Sequence, residues 1–212
     1  MTSSTYTKYP RTPHLPYSPG ATRDDVRMLD TAVFAGRDVV VTEKMDGENT
    51  TLYRDHLHAR SLDSRAHPSR DWVKALHGQV AHLIPDGWRV CGENLFARHS
   101  IAYDALQSYF YVFSVWDDHN RCLSWADTQE WAALLGLHVV PVLFEGLYDD
   151  RRWRKHVVDT TVQEGYVIRT AAGFAYADFA THVGKWVRPG HVQTDQHWMH
   201  QSVVPNRLQE PS

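Results

Sequence analysis

Runs of β-branched and aromatic residues, bounded by polar turns, recur along the chain and predict a sheet-rich protein. One run covers residues 38–43, and two short strands around a turn are predicted at 50–53 and 57–61. Further strand-like segments cover residues 88–96, 109–116, 138–144, 164–169, 173–177 and 182–188. The second of these is too apolar to have a fully hydrated face.

Two helices are predicted between these strands. Within residues 69–84 the apolar side chains recur at helical spacing, at Trp72, Val73, Leu76, Val80 and Ile84. A second helix begins near Ser124 and Asp127, either of which can cap it, and ends at Gly136. No internal repeat is visible, so we expect one α+β domain with antiparallel sheets flanked by helices.

The N-terminal residues differ in composition from the rest. Residues 1–23 are polar and are interrupted by Pro10, Pro13, Pro16 and Pro19, which fix φ and remove backbone donors. We therefore expect an extended arm over residues 1–35, the folded domain over 36–190, and a C-terminal tail over 191–212.

Charge and cysteine content narrow the class of protein. The formal net charge is -3 with histidines neutral, which argues against a broad cationic surface for duplex binding. Cys91 and Cys122 offer neither a metal-binding spacing nor a disulfide framework. There is no secretory h-region and no apolar stretch of membrane-spanning length, so we expect a cytoplasmic protein without membrane association.

Lys44 lies in the stretch EKMDGEN, residues 43–49, where a predicted strand runs into a turn. The sheet would hold the lysine with its amine projecting over a pocket, as a nucleophile requires. An ordinary lysine has a pKa of about 10.4, so burial or nearby cations must lower that pKa. The alternative is a surface lysine before a tight turn, because a Lys-x-Asp-Gly string alone is weak evidence.

Carboxylates and cations suited to phosphoryl transfer follow along the chain. Glu93 and Glu164 each lie beside a glycine on a strand-like segment, where they could hold a divalent metal. Lys185 and Arg188 could neutralise developing charge, and Phe113 offers a flat surface for a base. Each residue alone is more often a solvated position on a strand, so the ordered set carries the argument.

Taken together, these motifs resemble the covalent nucleotidyltransferase superfamily, and most closely its ATP-dependent RNA ligases. The resemblance covers about residues 40–190. It rests on Lys44 to Gly47, Arg60-Ser61, Gly92-Glu93, the strand 109–116, Glu164-Gly165 and Lys185 to Arg188. It implies a nucleotidyltransferase (ATP-grasp-like ligase adenylation) domain within residues 36–190.

The resemblance also implies a role for each residue. Lys44 would carry AMP covalently, with Glu164 and Lys185 as catalytic partners. The nucleotide-binding set would be Glu43, Asp46, Gly47, Arg60, Glu93, Phe113, Lys185 and Arg188. In that set the Glu43 backbone would recognise the edge of adenine, and Phe113 would stack on the adenine ring. Arg60 would hold the ribose or a phosphate. Glu93 would hold the ribose hydroxyl or metal, Glu164 would bind metal and Lys185 the α-phosphate. Asn49 would lie near the reacting RNA ends.

Two positions depart from the family pattern. Many relatives have Asp after the stacking Phe, where this chain has Ser114. The last motif usually has two lysines one residue apart, whereas here Val187 follows Trp186 and Arg188 comes one position later. Arginine can bind phosphate but does not readily give up a proton. Among these residues, Arg188 is therefore the one whose role follows least directly from the family motif.

The implied reaction is ATP-dependent sealing of RNA with 5′-phosphate and 3′-hydroxyl ends, using Mg²⁺ or Mn²⁺, in RNA repair. An end-healing kinase or phosphatase is the expected kind of partner. The alternatives are a DNA ligase, a capping guanylyltransferase or a non-catalytic nucleotide- or RNA-binding module of the same fold. About 24 residues follow Arg188, too few for an OB-fold, and this favours a minimal RNA ligase.

Two weaker features complete the sequence. The basic run from Arg151 to Lys155 contains Trp153 and could bind phosphate and stack a base, although a solvated helix face is the commoner explanation. Asp195, His197 and His200 could form a metal site if they share a helix face, but no pattern of closed coordination accompanies them.

Overall fold

The computed structural model describes residues 6–62, 66–190 and 203–210. The strands are β1 (Asp38–Lys44), β2 (Glu48–Leu52), β3 (Leu57–Ala59), β4 (Arg89–Asn94), β5 (Phe110–Trp116), β6 (Arg121–Cys122), β7 (His138–Val139), β8 (Val142–Leu147), β9 (Gly165–Thr170), β10 (Phe174–Ala175) and β11 (Val183–Val187). The α-helices are α1 (Asp71–Val80), α2 (Trp125–Leu134) and α3 (Asp150–Lys155). Across the described ranges, no helix is both long and apolar enough to cross a membrane.

The strands form two sheets. Sheet A has the order β11-β9-β1-β8, and sheet B has the order β10-β6-β5-β4-β2-β3, with β7 pairing β5. All pairs within these sheets are antiparallel except β5 and β7, which run parallel. The predicted α+β class with antiparallel sheets is confirmed.

The apolar residues sort into layers. α1 and α2 pack on the outer face of sheet B, around Phe110 and Val112. Two further clusters lie between the sheets, one containing Val40 and Tyr111 and the other Cys91 and Trp116. β1 is buried on both faces because Val39 and Val41 point the other way, into a cluster that also holds Leu15 and Trp153.

The segment before β1 extends sheet A. Residues 13–15 lie beside β11, with an isolated parallel bridge between His14 and Lys185, and Leu15 is fully buried. The segment is extended around residues 13–15, but turns follow at 16–17, 19–20 and 23–24, and the segment completes the core. At the other end of the chain, residues 203–210 pack on the stretch after β4, where buried Asn206 donates to the Leu95 carbonyl at 2.7 Å.

Most predicted elements are found, with boundary shifts of a few residues. The single strand predicted over 138–144 is wrong, because Pro141 lacks an N–H and the chain crosses there from sheet B to sheet A. The segment 173–177 forms only a two-residue strand followed by the 3-10 helix Tyr176–Thr181. α2 is capped by Ser124, whose Oγ accepts from the Asp127 N–H at 3.1 Å.

Candidate active site

Lys44 ends β1, the strand that lies between β8 and β9 in sheet A. Side chains alternate along a strand, and Val40 faces sheet B, so Lys44 faces sheet B as well. Its amine donates a hydrogen bond to the Glu164 carboxylate, which is fully buried. The alternative of a surface lysine before a turn is therefore wrong.

Glu164 is held in place by a close approach of two strands. It immediately precedes β9, and the following Gly165 pairs with Lys44 across the sheet. A Cβ on Gly165 would lie 2.0 Å from the Trp186 carbonyl oxygen of β11, so only glycine allows this contact. The Glu-Gly pair thus brings the carboxylate to the end of β1.

Glu93 reaches the same cleft from β4 of sheet B. Its Oε1 accepts a hydrogen bond from the Gly47 N–H at 3.1 Å, which ties the turn after Lys44 to sheet B. Gly47 cannot carry a side chain, because a Cβ there would lie 2.5 Å from the Asn94 carbonyl oxygen. Burial raises the pKa of Glu93 to about 8, and the charges of Glu164 and Asp46 add to that effect against the opposing charge of Lys44.

Lys185 faces this cleft from β11. It is paired with Val167 of β9 and points inward like Val183, which packs between the sheets. Burial lowers its pKa to about 8, and the positive charges of Lys44 and Arg60 lower it further, against the charges of Asp25 and Glu164. Arg60 lies just after β3 and is half-buried. Its effect on the pKa of Lys185 shows that its charge acts on the same cleft.

The pKa of Lys44 is shifted in the direction opposite to the one expected from sequence. Burial favours the neutral amine, but the charges of Glu164 and Glu93 outweigh it and raise the pKa above the ordinary lysine value. We expected nearby cations to lower the pKa. The structure instead surrounds the amine with carboxylates, and their negative charge favours its protonated form.

Asp46 lies in the turn that follows Lys44 and connects it by hydrogen bonds to the loop after β4. Its Oδ2 accepts hydrogen bonds from Ser100 N, Ser100 Oγ and Ile101 N at 2.8, 2.6 and 2.8 Å. Its own N–H donates to the Tyr103 hydroxyl at 2.9 Å. Asp46 therefore anchors the loop after β4 against the lysine turn, and Arg188 joins this network by donating to Ser100 Oγ at 2.9 Å.

The other predicted residues occupy distinct places. Asn49 lies opposite Glu93 in the β2–β4 register, and within the described part of the chain its buried Oδ1 accepts no hydrogen bond. The Glu43 N–H donates to the Pro141 carbonyl at 2.8 Å, so this backbone donor is already used inside the fold. Phe113 is half-buried between the sheets.

Sequence analysis missed the N-terminal segment as part of this site. The Tyr9 ring lies 5.1 Å from that of Phe113, close to edge-on. Both rings belong to the cluster between the sheets that also includes Val167. His14 lies beside Lys185, and no local pattern signals this, because the contact joins positions far apart in the chain.

Two carboxylates, Glu93 and Glu164, fit a divalent cation. Both point into one cleft, and the raised pKa of Glu93 shows that burial and neighbouring negative charge disfavour its anion, a cost that a bound cation would relieve. Elsewhere in the described residues, Asp117, Asp118 and His119 bring three ligand atoms within 4.8 Å of one another on a surface turn. That exposed cluster carries no evidence of an ion.

The weaker features fare differently. Trp153 of the basic run is buried beneath α3 and is only 1% exposed, so it cannot stack on a base. Arg152 lies over the Phe144 ring, and Arg154 pairs with Asp150, so both guanidinium groups make local contacts. The proposed cluster of Asp195, His197 and His200 lies outside the described residues.

A family model described as RNA ligase matches residues 37–187. This chain belongs to the RNA ligase family. The match begins just before β1 and ends with β11, so it includes the turn after Lys44, both glutamates and Lys185. The family resemblance drawn from the motifs is confirmed, and no curated protein sequence matches the chain.

Solved RNA ligases share the fold. A mutant of the Naegleria gruberi RNA ligase with ATP and Mn has a TM-score of 0.53 at 17% identity, covering 81% of this chain and 56% of that one. An archaeal ATP-dependent RNA ligase has a TM-score of 0.52 at 17% identity, covering 86% of this chain and 48% of that one. At this identity the likeness shows the fold alone, and the chain spans about half the length of these relatives.

Proposed function

We propose that the chain is an ATP-dependent RNA ligase that carries AMP covalently on Lys44. One observation supports this above all: the Lys44 amine, the carboxylates of Glu164 and Glu93, and the Lys185 amine share one buried cleft between the sheets. This combination of nucleophile, metal-binding groups and phosphate-binding cation matches the requirements of nucleotidyl transfer.

In the first step, Lys44 Nζ attacks the α-phosphorus of ATP. A P–N bond forms, the bond from the α-phosphorus to its bridging oxygen breaks, and pyrophosphate leaves. The Glu164 carboxylate accepts the hydrogen bond from Lys44, so it is the nearest group to take the proton. Lys185 and Arg60 supply positive charge for the phosphate oxygens, whose charge grows as the bond breaks.

A divalent cation has a defined place in this proposal. Glu93 and Glu164 would hold Mg²⁺ or Mn²⁺, which supplies positive charge to the phosphates and to the two carboxylates. Neutralising those carboxylates removes the influence that raises the pKa of Lys44, and burial then favours the neutral amine. The solved relative that holds ATP and Mn agrees with this combination of ligands.

The later steps involve the RNA. AMP passes from Lys44 to a 5′-phosphate, and a 3′-hydroxyl then displaces AMP and seals the strand. Asn49 would contact the reacting ends; its pairing with Glu93 in the β2–β4 register, and its buried Oδ1, which accepts no hydrogen bond among the described residues, support this. Phe113 would stack on adenine. Since the reaction needs a 5′-phosphate and a 3′-hydroxyl, an end-healing kinase or phosphatase is the fitting partner.

The first experiment is incubation of the full chain with ATP labelled at the α-phosphate and Mg²⁺ or Mn²⁺. We expect label on the wild type and none on Lys44→Ala. Lys74→Ala is the matched control, because Lys74 is exposed on α1 and pairs with nearby Asp71. Absence of label on the wild type, or equal label on Lys44→Ala, would contradict the proposal.

Further arms separate the alternatives. Labelling with GTP in place of ATP would indicate a capping enzyme, and sealing of nicked DNA but not nicked RNA would indicate a DNA ligase. ATP binding without an adduct would indicate a non-catalytic module. Among RNA substrates, a nicked duplex, a broken loop and a single-stranded end should be compared directly.

A further inference from the structure

The N-terminal segment uses both backbone hydrogen-bonding groups of Lys185. The Lys185 N–H donates to the Pro13 carbonyl at 2.9 Å, and the Leu15 N–H donates to the Lys185 carbonyl at 2.8 Å. His14, between them, is held in turn by Val26 and Met28: its N–H donates to the Val26 carbonyl and its carbonyl accepts from the Met28 N–H, both at 2.8 Å. The segment therefore folds back on itself before it meets β11.

A second set of contacts connects the side chains. His14 is 1% exposed, and its Nδ1 lies 2.9 Å from Ser18 Oγ. The same oxygen accepts from the Val187 N–H at 2.9 Å, two residues beyond Lys185. On the other side of the imidazole ring, Nε2 lies 3.6 Å from Asp25 Oδ2. The imidazole thus joins two parts of the segment, and Ser18 carries its contact to β11 at Val187.

The charge state of His14 suits this arrangement. Burial lowers its pKa to about 4, and the positive charge of Lys185 adds to that effect. A neutral ring can accept a hydrogen bond from the Ser18 hydroxyl at Nδ1, with its Nε2 facing Asp25 beyond hydrogen-bond distance. Asp25 is fixed in turn, because Thr22 donates to it from both N–H and Oγ1 at 2.9 Å.

The segment packs closely against β11 and against the backbone that follows it. A Cβ on Gly184 would lie 2.7 Å from the Met28 sulfur and 2.9 Å from a Leu15 methyl carbon. A Cβ on Gly20 would lie 2.3 Å from the Arg188 carbonyl oxygen. Without the segment, β11 would be an edge strand with unpaired backbone groups, and edge strands are held less firmly than central ones.

We propose that residues 13–28 form a built-in clamp on β11, and that His14 is a positioning residue that holds the Lys185 amine in the nucleotidyl-transfer cleft. The proposal rests on the proposed function, in which Lys185 binds the α-phosphate. His14 itself touches no reacting atom. It acts by holding the backbone and the electrostatic surroundings of Lys185.

The activity test compares His14→Ala with His14→Asn, whose Oδ1 can replace Nδ1 as the acceptor for Ser18. Misplacement of a reacting group by about 1 Å can cost about 100-fold, so we expect His14→Ala to form Lys44–AMP at least roughly tenfold more slowly. We expect His14→Asn to recover most of that rate. Phe34→Leu is the matched control, because Phe34 is fully buried in the same N-terminal region but lies outside residues 13–28.

A second readout does not require activity. Amine-selective labelling followed by mass spectrometry reports how accessible Lys185 is, with exposed Lys74 as the internal reference. We expect His14→Ala to increase the labelling of Lys185 at least severalfold relative to Lys74, and Phe34→Leu to leave the ratio unchanged. If wild type forms no adduct but this ratio changes as expected, the proposed function fails and the clamp stands.

The clamp is refuted by either of two results. One is wild-type adduct formation and wild-type Lys185 labelling in His14→Ala. The other is an equal loss of rate in Phe34→Leu at the same melting temperature, because the effect would then follow general stability rather than the position of Lys185.

Discussion

Replacing Lys185 with Met should stabilise the protein while abolishing adduct formation. Lys185 is 8% exposed, and its pKa falls from 10.5 to about 8. Each tenfold change in an equilibrium constant is worth about 1.4 kcal/mol, so keeping this amine protonated in the folded state costs about 3 kcal/mol at pH 7. Methionine has a similar shape and carries no charge, so the variant avoids that cost.

The pH dependence separates this effect from ordinary packing. Because the folded pKa lies below the unfolded pKa, the cost is fully present below pH 8. It disappears as the pH rises from about 8 towards 10.5, where the unfolded chain also loses the proton. The stability difference between Lys185→Met and wild type should therefore fall from about 3 kcal/mol at pH 7 to about 1.4 kcal/mol at pH 9.5.

Urea unfolding at a series of pH values measures this difference directly. Lys74→Met is the control, and as an exposed position it should show no such pH dependence. The reasoning is refuted if Lys185→Met is no more stable than wild type at pH 7, or if its advantage does not change with pH. Either result would mean that the cleft solvates the ammonium group well and is not under electrostatic strain.

Three further predictions follow from the same cleft. At saturating Mg²⁺ or Mn²⁺, adduct formation by wild type should decline as the pH rises through about 8, where Lys185 loses its charge. Lys185→Arg should extend activity to higher pH, and rate measurements from pH 6 to 10 test both expectations. Glu93→Gln should raise the Mg²⁺ or Mn²⁺ concentration needed for half-maximal adduct formation roughly tenfold or more, and an unchanged metal titration would exclude Glu93 as a ligand. Asp46→Ala removes the acceptor of three hydrogen bonds and should cost about 3 kcal/mol in urea unfolding, whereas a loss below about 1 kcal/mol would show that the loop is held by other contacts.

Local patterns predicted the elements that carry the site. The β-branched run of β1 and the helical spacing within α1 both determine structure over a few consecutive residues, so neighbouring side chains suffice to identify them. The order of the motifs also predicted which residues share a cleft. Strand alternation explains why, because Lys44 and Lys185 lie at inward-facing positions of sheet A and Glu93 at an inward-facing position of sheet B.

The electrostatic environment of Lys44 could not be predicted in the same way. The sequence places several cations downstream of the lysine, and this suggested a lowered pKa. In the folded chain the carboxylates of Glu164 and Glu93 exert more influence on the amine than those cations do, because Glu164 accepts a hydrogen bond from it. Which charges dominate depends on distances across two sheets, and spacing along the chain does not determine them.

The place of the N-terminal segment in the fold also could not be predicted from local sequence patterns. Its prolines predict extended backbone, and by themselves they suggest a solvated arm. What makes the segment part of the core is the free edge of β11, which lies about 170 residues further along the chain and presents an N–H and a carbonyl at Lys185. Buried backbone groups need partners, so an extended segment of suitable shape pairs with that edge. The position of Lys185 on this outer strand therefore depends on whatever completes the sheet, and in this chain the completing strand is its own N-terminal region.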